Sequence, residues 1–291
     1  MLWVAVLAAS LQAQSLVVPG SLVSTEGNSA NADPFSISMT GPGTLSSQRY
    51  QQVYDSSQFP SLPTGGVFIT GIAFRIDGRY GTSFSSTLPD IQINLSTTSA
   101  EENTMSSTFA NNVGADDTVV YMRGPLALSG TSGSLPRQFN VIIMLSTPFH
   151  YDPANGNLLL DVRNYGGGVT TFFDATSVAG DGISRVMTST GADVNSLTAN
   201  YSDTLGLVTK YIYQAVPPYG LTIQNLGNGT LQVISTNLVP SHRYVIETST
   251  NLINWASIVT NGPIGPTGSF TNTFTSDDSQ TFYRGNIPNG F

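Results

Sequence analysis

The chain has no cysteine, which excludes disulfides, thiolate metal sites and cysteine nucleophiles together. A secreted eukaryotic sandwich would often carry a disulfide staple, so its absence fits an exported bacterial protein that relies on its core. Histidine is almost as scarce: His150 and His242 are the only two. They fall in different parts of the chain, and no His-Glu-x-x-His is present, so a zinc site lacks its ligands. No Gly-x-Ser-x-Gly marks a strained nucleophile for either histidine to serve. Glutamate is limited to Glu26, Glu101, Glu102 and Glu247, scattered over a polar N-terminal stretch, one short segment and the C-terminal part. Lys210 is the sole lysine, charged residues make up only 10%, and the net charge is −8. Such a surface is a poor partner for nucleic acid or an anionic membrane, which need clustered cations. No run approaches ~18 consecutive apolar residues, so no membrane-spanning helix is expected.

What replaces charge is glycine (29), proline (16), Ser, Thr and Asn, alongside a hydrophobic fraction of 40%. A packed core is affordable, and the turn-forming residues suit many short strands. Period-two alternation is the dominant signal. In Asp90–Ser96 the apolar Ile91, Ile93 and Leu95 share one face. Leu158, Leu160 and Val162 do the same, as do Leu205, Leu207, Tyr211 and Tyr213. Phe68, Ile72, Phe74 and Ile76 are expected on one side of Val67–Asp77. Phe139, Val141, Ile143 and Leu145 share a face. The opposing Ile142 and Met144 make that strand apolar on both sides, which predicts a central strand covered on both faces. One short helix is expected over Ala100–Asn111, from capping-box spacing of Ser99 and Glu102 and from Met105 and Phe109 four apart.

The fold class expected is all-β: a jelly-roll-like β-sandwich over residues 30–214, then a small Ig-like or fibronectin-like module over residues 219–287. Pro217 and Pro218 read as the linker, Asn228-Gly229 as a hairpin turn, and Trp255 as an anchor of the small core. Leu2–Ala9 is a short apolar run followed by small residues, which reads as a signal peptide over residues 1–15, cleaved after Ala13 or Ser15. No basic residue precedes the run, so the natural start is expected upstream. The mature chain is expected to be secreted or at the cell surface.

Arg49-Tyr-Gln-Gln-Val-Tyr54, Ile69-Thr-Gly-Ile-Ala-Phe-Arg-Ile-Asp77, Leu88-Pro-Asp-Ile-Gln-Ile-Asn94, Gly114-Ala-Asp-Asp-Thr-Val119 and Gly156-Asn-Leu-Leu-Leu-Asp161 resemble a family of exported bacterial β-sandwich proteins, of the PEP-CTERM and verrucomicrobial secreted type. Tyr244–Trp255 and Phe282-Tyr-Arg284 resemble the small β module that ends many such proteins. The resemblance implies export and surface attachment, and brings no activity and no catalytic residues. The chain departs from the PEP-CTERM pattern, with no terminal Pro-Glu-Pro, apolar helix or basic tail.

The candidate sites follow from residue chemistry. Calcium takes six to eight oxygens, which inter-strand loops can supply, and Asp116, Asp117, Asp174, Asp181 and Asp203 are the candidate ligands for a structural ion. Tyr50, Tyr54, Tyr80, Tyr121, Tyr151 and Tyr165 fall at strand ends or near turns, where flat rings could form a rim that stacks on sugars. Arg75, Asp77, Asp161 and Arg163 would form one charged patch if their strands were neighbours. The expected function is a non-catalytic surface or matrix protein with weak carbohydrate binding. The alternatives are a polysaccharide hydrolase or lyase, and a purely structural coat or biofilm component.

Overall fold

The computed structural model describes residues 13–37, 47–216, 220–238, 243–262, 268–275 and 281–286. The apolar run at 2–9, the prolines at 217–218 and His242 lie outside the described residues. Contacts divide the chain into two units, residues 1–215 and 216–291.

The first unit contains β1 (Gln14–Val18), β2 (Ser29–Asn31), β3 (Gln48–Tyr54), β4 (Val67–Phe74), β5 (Phe84–Thr98), β6 (Thr118–Gly130) and β7 (Val141–Tyr151). It continues with β8 (Asn157–Asn164), β9 (Phe173–Ser177), β10 (Ile183–Met187), β11 (Tyr201–Asp203), β12 (Leu205–Leu207) and β13 (Thr209–Ala215). A four-stranded sheet has the order β1-β13-β4-β7, and a six-stranded sheet the order β11-β10-β3-β8-β5-β6. A small sheet, β12-β9-β2, completes the unit, and all pairings are antiparallel. The domain therefore begins before residue 30: Gln14–Val18 pairs along its full length with β13.

The core lies between the two larger sheets. Ile91, Ile93 and Leu95 of β5 and Leu158, Leu160 and Val162 of β8 face Ile72, Phe74, Ile143 and Tyr211 of the opposite sheet. Tyr54 and Tyr211 meet edge to face at 5.3 Å, and Phe59 meets Tyr151 at 4.9 Å. Such rings bury large areas and prefer this tilted geometry. Because a pleated strand alternates faces, the same strands that read as alternating in sequence are those that line this core.

Three expectations on local structure need correction. β4 carries a register shift between Ile69 and Gly71, so Val67 and Ile69 point into the core and Phe68 takes the other face, where it is buried beside the His150 ring at 5.4 Å. β7 is an edge strand and not a central one. Its outward Ile142 and Met144 are 48% and 60% exposed, so two-sided apolarity here does not mean two-sided cover. Ala100–Asn111 is not a helix. Turns and a single 3-10 turn at Phe109–Asn112 stand in its place, and Asn103 takes a left-handed φ of 61°. The Glu102 carboxylate accepts from the amides of Gly180 (2.7 Å) and Gly182 (2.9 Å), partners about eighty residues away.

The second unit holds β14 (Gly220–Gly227), β15 (Thr230–Leu238), β16 (Tyr244–Ser249), β17 (Ala256–Asn261), β18 (Gly268–Thr275) and β19 (Phe282–Asn286). They form two three-stranded antiparallel sheets, β14-β15-β18 and β17-β16-β19. Val233, Leu238, Tyr244 and Ile246 are buried. Asn228 and Gly229, both with positive φ (53° and 72°), make the tight hairpin between β14 and β15. Trp255 is not a core anchor: it lies half-buried under the Arg284 guanidinium, 4.3 Å from its ring centre.

Candidate functional site

The pairing register of β10 and β11 sets Arg185 directly opposite Asp203. On one face of an antiparallel pair such residues touch, and here the contact is bidentate. Arg185 Nε donates to Asp203 Oδ1 at 2.8 Å and Nη2 to Oδ2 at 3.1 Å. Its remaining nitrogen, Nη1, donates to Asn31 Oδ1 at 2.9 Å and lies 3.5 Å from Asp33 Oδ2. The guanidinium is 5% exposed, with the rings of Tyr50 and Tyr201 at 5.9 and 5.7 Å. Burial pushes the Asp33 carboxyl up from its ordinary value, against the pull of Arg185 and of the Gln48 amide.

On the other face of the same strands, where Ser184 and Val186 point, the surface is concave. A cleft of about 340 Å³ is lined by Asn103, Met105, Ala179, Ser184, Arg185, Val186, Ser202, Asp203 and Thr204. That volume is near the lower limit of small-molecule sites. One wall is the loop that replaces the expected helix, fastened by Glu102 to the Gly180–Gly182 turn and by the Asn103 amide to Ser184 Oγ at 2.8 Å. The other wall is β11 and Thr204. Among the polar lining residues Ser202 is exposed, while Ser184 Oγ is buried against the Asn103 amide. Thr204 Oγ1 bonds Ser177 Oγ (3.1 Å), and Asn103 Nδ2 donates to Glu102. The one carboxylate, Asp203, is 26% exposed and held by Arg185.

Of the six tyrosines expected on a rim, Tyr50, Tyr54 and Tyr151 are fully buried. Tyr50 hydroxyl donates to Gln52 Oε1 (2.5 Å), Tyr151 hydroxyl to the Gly156 carbonyl (3.0 Å), and Tyr54 shares a hydrogen bond with Thr209 Oγ1 (2.8 Å). These are core residues with a satisfied polar tip, so the rim reading is corrected for them. Tyr80 is exposed beside Phe172, with ring centres 6.4 Å apart. Tyr165 lies under the Arg123 guanidinium at 3.6 Å, and Tyr121 donates to the Pro125 carbonyl at 2.7 Å. No common rim results.

The five aspartates do not converge either. Asp116 accepts from the Thr97 amide, and Asp117 from Asn94 Nδ2. Asp181 accepts from Thr176 Oγ1 and the Ile183 amide. Asp203 belongs to the cleft. Asp174, 1% exposed, is held by Arg75 Nε at 2.7 Å, and burial pushes its carboxyl up. The expected patch of four charges splits in two. Asp161 of β8 pairs with Arg49 (2.5 Å) and Arg163 (3.5 Å) on the six-stranded sheet, while Arg75 follows β4 in the other.

Three residues escaped the reading of the sequence in these roles. Arg185 was hidden because a connection of irregular structure separates β10 from β11, so the register that sets it against Asp203 is invisible in sequence. Glu26 and Asp77 were not among the candidate ligands, yet together with Asp174 they bring one oxygen each to within 4.8 Å of one another.

Comparison with known proteins adds no relative: no family model, no curated protein and no solved structure matches the chain. The resemblance to exported bacterial sandwiches stands on the quoted segments alone.

Proposed function

We propose that this chain is an exported, non-catalytic binding protein whose larger unit seats a neutral, hydroxyl-rich ligand, a glycan unit, in the cleft between the Asn103 loop and β11. The observation that carries the reading is the chemistry of the cleft lining. Sugars are recognised by polar donors and acceptors set in a shallow concavity, and the exposed Ser202, with Asn103 and the half-buried Thr204 beside it, supports that reading. Arg185 does not act as an anion trap, because all three of its nitrogens already face protein acceptors. A phosphate or sulfate would also meet Asp203 and a chain of net charge −8.

A hydrolase reading lacks support in the same place. Glycoside hydrolysis needs two carboxyl groups across the scissile bond, and the lining contains one. His150, the only histidine among the described residues, sits on β7 with Nε2 2.9 Å from the Gly65 carbonyl, on the opposite sheet. Export is supported by the apolar run at the N-terminus and by the absence of cysteine.

The test is a glycan array that includes neutral, uronic and sulfated oligosaccharides, with a reducing-end assay on every glycan retained. Retention of neutral glycans with no release of reducing ends is expected. Retention confined to sulfated glycans, or release of product, would overturn the reading.

A further inference from the structure

We propose that Glu26, Asp77 and Asp174 form a binding site for a hard divalent cation of the calcium class, separate from the cleft. Three segments meet there: the stretch after β1, the Asp77–Gly81 loop after β4, and β9. Each carboxylate offers one oxygen, and all lie within 4.8 Å of one another. Three oxygens no more than 4.8 Å apart share a point no more than about 2.8 Å from each, slightly beyond the calcium–oxygen range of about 2.3–2.6 Å, so small side-chain shifts bring all three onto a single ion. The donor set is oxygen only, with no histidine or cysteine, which favours a hard cation over zinc or copper.

A convergence of acids would mean little without a second observation, and Asp77 provides it. Its side chain is completely buried. Oδ1 caps the turn, accepting from the amides of Arg79 (2.9 Å) and Tyr80 (2.7 Å). Oδ2 is shut off from solvent and has no hydrogen-bond donor. Every other carboxylate oxygen of the trio has one. Glu26 Oε1 accepts from the Arg137 amide (2.9 Å) and Oε2 from the Gly78 amide (3.0 Å). Asp174 Oδ1 accepts from the Gly27 amide (2.8 Å) and Oδ2 from Arg75 Nε (2.7 Å). A buried anionic oxygen with no donor carries a desolvation cost that a cation removes.

The neighbouring arginines decide whether the trio still needs a cation. Arg75 is committed to Asp174, and its Nη2 also donates to the carbonyls of Leu22 and Thr25. Arg79 is the competitor. Its Nη2 lies 3.5 Å from Asp77 Oδ2, outside the hydrogen bonds found there, and its side chain is 48% exposed. Arg79 also donates from Nη1 to the Asn28 carbonyl (3.1 Å), and Arg137 commits its guanidinium to the carbonyls of Gly81 (2.8 Å) and Gly78 (3.4 Å). Among the described residues Arg79 is the one cation paired with Asp77 or Glu26, which leaves these two negative charges short of one positive charge. A divalent ion balances them, and Arg79 swings out to solvent as it binds.

The experiment uses the full chain, stripped with chelator and desalted, then titrated with calcium chloride by isothermal calorimetry and followed by thermal unfolding. One ion per chain is expected, at roughly micromolar to millimolar affinity, with a rise in melting temperature that tracks occupancy. Asp77→Asn should weaken binding at least tenfold, and Asp116→Asn, at a loop outside the trio, should leave it unchanged. Arg79→Ala should tighten binding severalfold, because it removes the competing cation. If Asp77→Asn fails to fold, Glu26→Gln and Arg79→Ala carry the test. No heat and no thermal shift up to several millimolar calcium would overturn the proposal. So would an Arg79→Ala protein that binds calcium no more tightly than the parent.

Discussion

Replacing Arg185 by methionine removes the charge beneath the cleft while keeping most of the side chain's volume. The Arg185 guanidinium is 5% exposed and bridges Asp203, Asp33 and Asn31. Removing one partner of a buried ion pair costs about 3–5 kcal/mol, because the other charge is left behind. Asp33 and Asp203 are 25% and 26% exposed, so water can reach them, and the lower end, about 3 kcal/mol, applies. For a unit of this size that is a fall in melting temperature of roughly 6–12 °C. The loss should depend on pH with a definite sign. Burial already holds the Asp33 carboxyl above its ordinary value, and Arg185 pulls it down, so the variant raises it further. A carboxylate whose folded pKa lies above the unfolded value destabilises the fold while ionised, and that penalty fades as pH falls through the folded pKa. The gap between parent and Arg185→Met should therefore narrow from pH 7 toward about pH 4. Calorimetric melting across that range is the assay. A gap below about 1 kcal/mol, or one that widens on acidification, would refute the reasoning.

Other perturbations follow from the same geometry. Glu102→Ala frees the amides of Gly180 and Gly182 and unties the cleft wall. A loss of about 1 kcal/mol in urea unfolding is expected, with glycan affinity falling more than stability. Gly66→Ala adds a Cβ 2.3 Å from the Tyr151 carbonyl oxygen at a φ of +80°, so the loop before β4 must shift. It should cost about 2 kcal/mol or more by the same measurement. Tyr54→Phe removes the hydroxyl bonded to Thr209 Oγ1 inside the core and should cost about 1 kcal/mol. Burial pushes the Tyr54 phenol up to about 12. Its folded pKa lies above the unfolded 10.0, so this group's contribution is complete below pH 10 and is lost above it. The difference between ultraviolet titrations of the parent and Tyr54→Phe should show this phenol ionising well above pH 10 or on unfolding, in step with alkaline melting.

What was legible in the sequence was whatever depends on local periodicity. Ile91, Ile93 and Leu95, or Leu158, Leu160 and Val162, alternate because one face of each strand is buried, and the structure buries them. The Asn228-Gly229 turn was legible because positive φ at two successive positions has few residue solutions. What depends on partners distant in sequence was not legible. Glu102 sits at capping-box spacing, yet glycine amides about eighty residues away hold it more effectively than a short, poorly nucleated helix would. Tyr50, Tyr54 and Tyr151 have the strand-end placement of rim residues, and only the packing of two sheets shows that their rings fill the core. Arg75 lies two residues before Asp77, yet its charge goes to Asp174 on β9. The cleft depends on the β10–β11 register, and the acidic trio on three loops, so neither could be read from spacing.

The central claim is that neutral glycan binds in the cleft between the Asn103 loop and β11. Ser202 is exposed, lines that cleft, and takes part in no ion pair. Ser202→Trp should therefore fill the cleft and leave the fold intact. The most direct test is isothermal titration of an array-positive neutral oligosaccharide into the parent and into Ser202→Trp, with matched melting temperatures as the control. Binding heat from the parent and none from the variant is the predicted result; equal binding by both would contradict the account.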